Sequence, residues 1–398
     1  MQLAGPYVVY PTQAWQVGSP GVEAPYILNT SLQGGAWLNN TLYFFPISPQ
    51  NFGGPTIMCQ NIFFSDASDS GWTFLLQDTP NPFYDANNNP FLSQAAPVAT
   101  VMNDTIFLFF AEKVGGNRLF MSQFNGQSWA PIQVIFDDQF IMTGDSPGVG
   151  VYGDQIILVW PGLGANGFFY CTGTVDQSSF PYSISWGQPN VIQGTQSLVR
   201  AESSTSYGSA LKKQQISIAT LTVGDTTAAF FLVLQYMIGN VNSRIGCMIF
   251  DLNTQAFTTN ALINIGMLNS VYASSRCMAT TLNLGESQVP VLVDDVGNIS
   301  YFDTGSPSSN FGSYGTLAPW FQCGIGSSQG SGIGVGVGIP PSISISGNID
   351  MGPTPSLGAA TIVPGTSGGA LVCSQWNAAA FSSHSIGFAA VAINLKEN

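Results

Sequence analysis

Trp15, Trp72, Trp129 and Trp186 stand 57 residues apart, each from the next. Three equal intervals of that length mark a repeated structural unit, and such a unit restricts the chain to a stacked or radial repeat architecture.

The segment 96–134, APVATVMNDTIFLFFAEKVGGNRLFMSQFNGQSWAPIQV, shows what the unit is. It divides into four short runs rich in β-branched and aromatic residues: Pro97 to Val101, Ile106 to Phe110, Leu119 to Gln123 and Pro131 to Ile135. Asn-Asp, Gly-Gly and Asn-Gly between them supply turns that tolerate positive φ. Four antiparallel strands joined by hairpins form one blade of a β-propeller.

The second-strand opening recurs at Asn40-Thr41-Leu42, Asp104-Thr105-Ile106, Asp154-Gln155-Ile156 and Asp225-Thr226-Thr227, each time a polar turn feeding an apolar run. Ser122-Gln123-Phe124 through Trp129 aligns with Ser374-Gln375-Trp376 through Phe381, with Phe in the Trp slot. Weaker copies put Phe257 and Phe311 there. The slots 15, 72, 129, 186, 257, 311 and 381, and a length of 398 residues against a unit of 57, predict an all-β propeller of seven blades with six as the alternative. Residues 1–398 read as one domain, closed by pairing Tyr7 to Tyr10 with strands near Ile386 to Ile393, because closure removes exposed sheet edges. The stretch Gly324 to Gly338 reads equally as a strand with one bare face or as a loop, and no Gly-Lys-Ser/Thr makes it a phosphate loop.

Charge narrows the function. Only 7% of residues are charged, and 21 acids against eight bases give −13. Nucleic acid needs basic patches, and Lys212 and Lys213 are the only adjacent bases, so that class is set aside. A surface of Ser, Thr, Asn, Gln and Gly suits neutral, hydroxyl-rich ligands. No apolar run approaches the roughly 20 residues that span a bilayer. No secretory signal is visible in MQLAGPYVVYPTQAW, so the chain reads as cytoplasmic, as exported by another route, or as a mature secreted form.

Cys59, Cys171, Cys247, Cys277, Cys323 and Cys373 lie far apart without Cys-x-x-Cys, which argues for buried packing thiols rather than zinc ligands. No cofactor is expected, although calcium held by carbonyls and isolated Asp residues is compatible with the sequence. His384, the one histidine, sits in a Ser-rich turn and makes a poor start for a Ser-His-Asp triad. The doublets Asp137-Asp138 and Asp294-Asp295 are not carboxylate pairs by themselves, since neighbours on a strand face opposite ways, and Asp294 to Asn298 reads as a hairpin turn. Four arginines, Arg118, Arg200, Arg244 and Arg276, thinly supply a sialidase.

Ser68-Asp69-Ser70-Gly71-Trp72 resembles the Asp-box turn of sialidase-like propellers. The runs APVATVMNDTIFLFF, RLFMSQFNGQSWAPIQV and SPGVGVYGDQIILVW are similar to the repeats of lectin-like propellers of fungi and bacteria, best over residues 95 to 195. The resemblance implies sugar binding between adjacent blades, with an aromatic face against the sugar and an Arg or Glu fixing its hydroxyls. Trp72, Arg118, Trp129, Trp186, Arg244 and Phe257 are the ligand-binding candidates, with Trp129 paired to Arg118 and Phe257 to Arg244. Against this stands the packing reading, in which a Trp at one place in every blade wedges blades together; Phe in the later slots favours it. The leading expectation is a glycan-binding protein without catalysis, its repeated sites adding avidity, and a homo-oligomer is compatible with that. The alternatives are a glycan-cleaving hydrolase or lyase with a central carboxylate pocket, and a structural or protein-interaction propeller.

Overall fold

The computed structural model describes residues 15–16, 35–39, 41–45, 47–48, 56–57, 60–68, 71–78, 97–111, 118–137, 146–162, 167–196, 198, 216–223, 227–238, 242–258, 263–264, 277–284, 287–294, 298–325, 333–335, 356–365, 368–376 and 386–393. Every regular element among them is a β-strand. The second blade has its strands at Val98–Met102, Thr105–Ala111, Arg118–Phe124 and Gln133–Asp137, close to the runs read from sequence, each antiparallel to the next.

The described residues form six such sheets. Blade 1 comprises Gly35–Leu38, Thr41–Phe44, Gln60–Ser68 and Gly71–Asp78. Blades 3, 4 and 5 begin at Gly148–Tyr152, Ile216–Val223 and Cys277–Leu284, and each adds a short fifth strand. In blade 5 that addition is Ile333–Val335, paired with Cys323 to Ile325, so part of the glycine-rich stretch is a strand. Blade 6 takes Ser356–Gly365, Gly368–Trp376 and Ile386–Ile393 from the carboxy-terminal part of the chain and its outermost strand, Trp15–Gln16, from the amino-terminal part. Innermost strands neighbour one another in the order 1-2-3-4-5-6-1, a closed ring.

The difference between seven slots and six sheets has a definite origin. Trp15 lies on the fourth strand of blade 6, the place Trp186 holds in blade 3, so slots 15 and 381 count one blade twice. Ser374 to Trp376 belongs to the second strand of that blade, not to a third strand as the alignment with Ser122 to Phe124 requires. Trp15 pairs with Phe388 and Gln16 with Gly387. Tyr7 to Tyr10 lies outside the described residues.

Innermost strands expose a free backbone edge toward the axis, and unpaired peptide groups there are costly. Hydroxyl side chains of neighbouring blades satisfy several of them. The Thr220 hydroxyl donates to Val151 O at 2.9 Å, and the Thr220 N–H donates to Thr281 Oγ1 at 2.9 Å. Buried Ser217 accepts the N–H of Ala279, and Thr222 Oγ1 accepts at 2.7 Å the N–H of Gln288, which lies on the second strand of blade 5. These pairings advance together along the chain, so the inner strands run parallel around the axis. All of them therefore begin at one end of the ring, the upper end, and turn back at the lower end.

Between blades the seams are apolar. Ile157, Val159, Ile218, Phe230, Leu232 and Phe250 form one buried cluster across blades 3 and 4. Gly150 sits inside this seam, where a Cβ would come 2.7 Å from Ile218 Cγ2 and 2.9 Å from Phe230 Cδ1.

Candidate functional site

The aromatic slots lie at the lower end, after the third strand of each blade, and each reaches back to the blade before. Trp129 stacks on Phe124 of its own blade at 5.0 Å and meets Phe45 of blade 1 edge-on at 5.8 Å. Trp186 meets Phe109 and Phe136 of blade 2 at 6.3 and 5.9 Å. Phe257 lies 5.1 Å from Tyr170 of blade 3, and Phe311 lies 5.8 Å from Phe231 of blade 4. Four slots with one contact pattern are wedges between blades, as the packing reading has it. Trp72 lies on the fourth strand of blade 1.

The arginine–aromatic pairs expected from the sequence lie apart in the fold. Arg118 opens the third strand of blade 2, whereas Trp129 bridges Phe124 at the far end of that strand. Six residues at about 3.3 Å each put about 20 Å between them. The same six-residue offset divides Arg244 from Phe250, the partner of Phe257. Both arginines stand at the upper end and the aromatics at the lower. Arg118 is opposite Asp137 across the strand pair, and its guanidinium carbon lies 5.2 Å from the Phe120 ring centroid.

The lower end is built from turns that use their own polar groups. Asn125 Oδ1 accepts the N–H of Gln127 at 3.0 Å and of Ser128 at 2.9 Å. Asp176 accepts from Ser178 N–H, Asp251 from Thr254 N–H and Asp303 from Gly305 N–H, at 3.0, 2.7 and 2.9 Å. An Asn or Asp immediately closing the third strand thus caps the turn in four successive blades. This repeat escaped the sequence reading, although an apolar residue followed by Asx at 124–125, 175–176, 250–251 and 302–303 carries it.

Asp251 does more than cap. It is 8% exposed, and the Tyr314 hydroxyl from blade 5 donates to its Oδ2. Burial alone would raise the Asp251 carboxyl, but hydrogen bonds from Tyr314, Thr254 and Asn253 outweigh it and hold the group below the ordinary carboxylate value. Burial, and then the hydrogen bond to that carboxylate, push the Tyr314 phenol up. Tyr314→Phe is expected to cost about 1.5–3 kcal/mol at pH 7, the worth of a hydrogen bond to a charged group. A depressed carboxyl gives stability that is complete above the unfolded value of about 3.9 and fades as pH falls through the folded one. The gap between wild type and Tyr314→Phe in urea midpoint should therefore narrow below about pH 4. A gap of constant size from pH 7 to pH 3 would assign the loss to ring packing instead.

The cysteines Cys171, Cys247 and Cys277 are buried. Burial pushes the Cys171 thiol up to about 12, against a smaller lowering by its contact with Gly187 O, and burial raises Cys247 too. These are packing thiols. Among the described residues no group of three His, Cys, Asp or Glu side chains is placed to hold a metal ion. Asp294 ends a strand and Asn298 begins the next, consistent with the hairpin reading; Asp138, Asp295 and His384 lie outside the described residues.

No family model matches the chain, and no curated protein matches it in sequence. Solved structures do match. An α-L-arabinanase of Penicillium chrysogenum, solved with arabinobiose, superposes with a TM-score of 0.51 at 10% identity, over 96% of this chain and 98% of the other. The likeness is one of fold. A lectin solved with α-methyl fucoside has a TM-score of 0.45 at 12% identity over 92% of this chain and 98% of that one. An α-L-arabinofuranosidase of Podospora anserina, solved with cellotriose, has 0.40 at 10% over 97% and 98%. The arabinanase match stands against the expectation of a protein without catalysis.

Proposed function

We propose that the chain is a glycan-binding hydrolase that cleaves glycosidic bonds at the upper end of the ring. The observation that carries this reading is the match in fold, over nearly the whole of both chains, to an arabinanase solved with arabinobiose. Glu23, Asp85, Asp138, Asp145, Glu202 and Asp350 lie outside the described residues and are candidates by chain order alone, each falling between the last strand of one blade and the first of the next. Glycoside hydrolysis needs two carboxyl groups, about 5–5.5 Å apart for retention and about 6.5–9.5 Å for inversion. Described carboxylates at the lower end, Asp176, Asp251 and Asp303, are engaged in turns and are poor candidates for that chemistry.

Of the residues singled out from sequence, Arg118 and Arg244 are retained as substrate contacts, because they stand at the upper end. Release of reducing sugar from arabinan, arabinoxylan and other plant glycans tests the reading, with each of the six acids replaced in turn by its amide. Two of the six variants should lose activity by a factor of about 10²–10⁴ while melting like wild type. No release from any polysaccharide, or six amide variants as active as wild type, would overturn it.

A further inference from the structure

Asn-x-Ser/Thr, the acceptor sequence for N-linked oligosaccharide, occurs at Asn29, Asn39, Asn103 and Asn298. The fold sorts these. Asn298 opens a strand that pairs on both sides of its blade, and Ser300 two residues on is buried. Asn39 and Asn103 instead occupy the same place in adjacent blades, the hairpin turn from first to second strand at the lower end. Both are exposed, and both hold positive φ, 51° and 44°, a conformation for which Asn is among the better-suited residues. Asn29 lies outside the described residues.

We propose that Asn103, and with it Asn39, is an N-glycan acceptor site. The side-chain amide Nδ2 bonds to C1 of an oligosaccharide while the bond from C1 to a lipid diphosphate breaks. Lipid diphosphate leaves, and the amide proton passes to a base of the transferase. Thr105, whose hydroxyl completes the acceptor sequence, is 2% exposed in the folded blade, so transfer must precede folding and the finished fold must then accommodate the sugar. An exposed turn does so at Asn103. At Asn39 the Nδ2 lies close to Gly126 of the next blade, where a Cβ would come within 3.0 Å, so this acceptor is the more crowded of the two and its glycan must turn outward from the seam. Both chains would project from the lower end, away from the end assigned to hydrolysis, and the inference does not rest on that assignment.

The full chain expressed behind a cleavable secretory leader in yeast, then deglycosylated by peptide N-glycosidase in water labelled with heavy oxygen, tests this. Labelled aspartate is expected at positions 103 and 39 of the secreted, folded protein and not at 298. Asn103→Gln and Asn39→Gln should each remove one glycosidase-sensitive step on a gel without lowering the melting temperature. Translation of the same variants with microsomal membranes gives the gel readout if little protein is secreted. Asn103 unlabelled, or Asn103→Gln with an unchanged pattern, overturns the proposal; label at Asn298 in folded protein overturns the sorting by turn placement.

Discussion

Phe230→Ala is expected to lower the folding free energy by about 3–5 kcal/mol, as truncation of a fully buried aromatic ring does when its surroundings cannot collapse. The ring is 0% exposed and lies in the seam between blades 3 and 4, against Ile218 and the bare backbone of Gly150. The inner strands that frame it are fixed to one another by the Thr220 hydroxyl on Val151 O, which limits collapse of the walls into a cavity. Gly150→Ala presses on the same place from the other side and should cost about 1–3 kcal/mol by overpacking. Because both substitutions act on one volume, the double variant should lose less than the sum of the two. Urea midpoints for the three proteins decide it; strictly additive losses would mean that Phe230 and Gly150 do not share the seam.

Gln123→Glu should produce a protein whose stability rises as the pH falls. Gln123 is 1% exposed on the third strand of blade 2, and its amide reads the backbone of the next blade. Nε2 donates to Tyr182 O at 2.7 Å, and Oε1 accepts the Tyr182 N–H at 2.8 Å. A carboxylate there keeps the second bond but turns the first into two acceptors face to face in a buried site. Burial and the opposing carbonyl raise the folded-state value of the new carboxyl above the unfolded one of about 4.3. Its full contribution is then present below about pH 4, where the protonated acid donates to Tyr182 O, and is lost as pH climbs through the folded value. At pH 7 the loss relative to wild type should be about 2–4 kcal/mol, at pH 4 much smaller. Thermal melts at the two values measure this, and equal losses at both would show that the amide pairing does not hold the seam.

The repeat was legible because a wedge residue must recur wherever one blade meets the next, and Trp129, Trp186, Phe257 and Phe311 keep that place in the fold. Hairpin turns were legible for a similar reason: Asn103-Asp104 adopts the positive φ that its residue types favour. Blade number was harder to read, since a blade assembled from both chain ends shows its Trp at position 15 and its other strands after position 355. Pairing an arginine with an aromatic failed on geometry. A strand lies between Arg118 and Trp129, so residues that are close in sequence end on opposite faces of the ring. The clasp between Asp251 and Tyr314 has no local signal at all, because its partners belong to different blades and meet only in the finished seam.

Trp15 pairs with Phe388, 388 − 15 = 373 positions later. At roughly 5–20 residues per second a ribosome takes roughly 20–75 s to cover that interval, so the outermost strand of blade 6 is made first and used last. Until then the growing stack has two unsealed flanks in water, the one that blade 1 turns toward blade 6 and the one at the newest blade. Each added blade moves the second flank along without removing the first, and burial of both waits for the same final event. A nascent chain of this design is therefore in need of protection from its neighbours until Ile386–Ile393 has emerged, and one interrupted before that strand leaves the ring open.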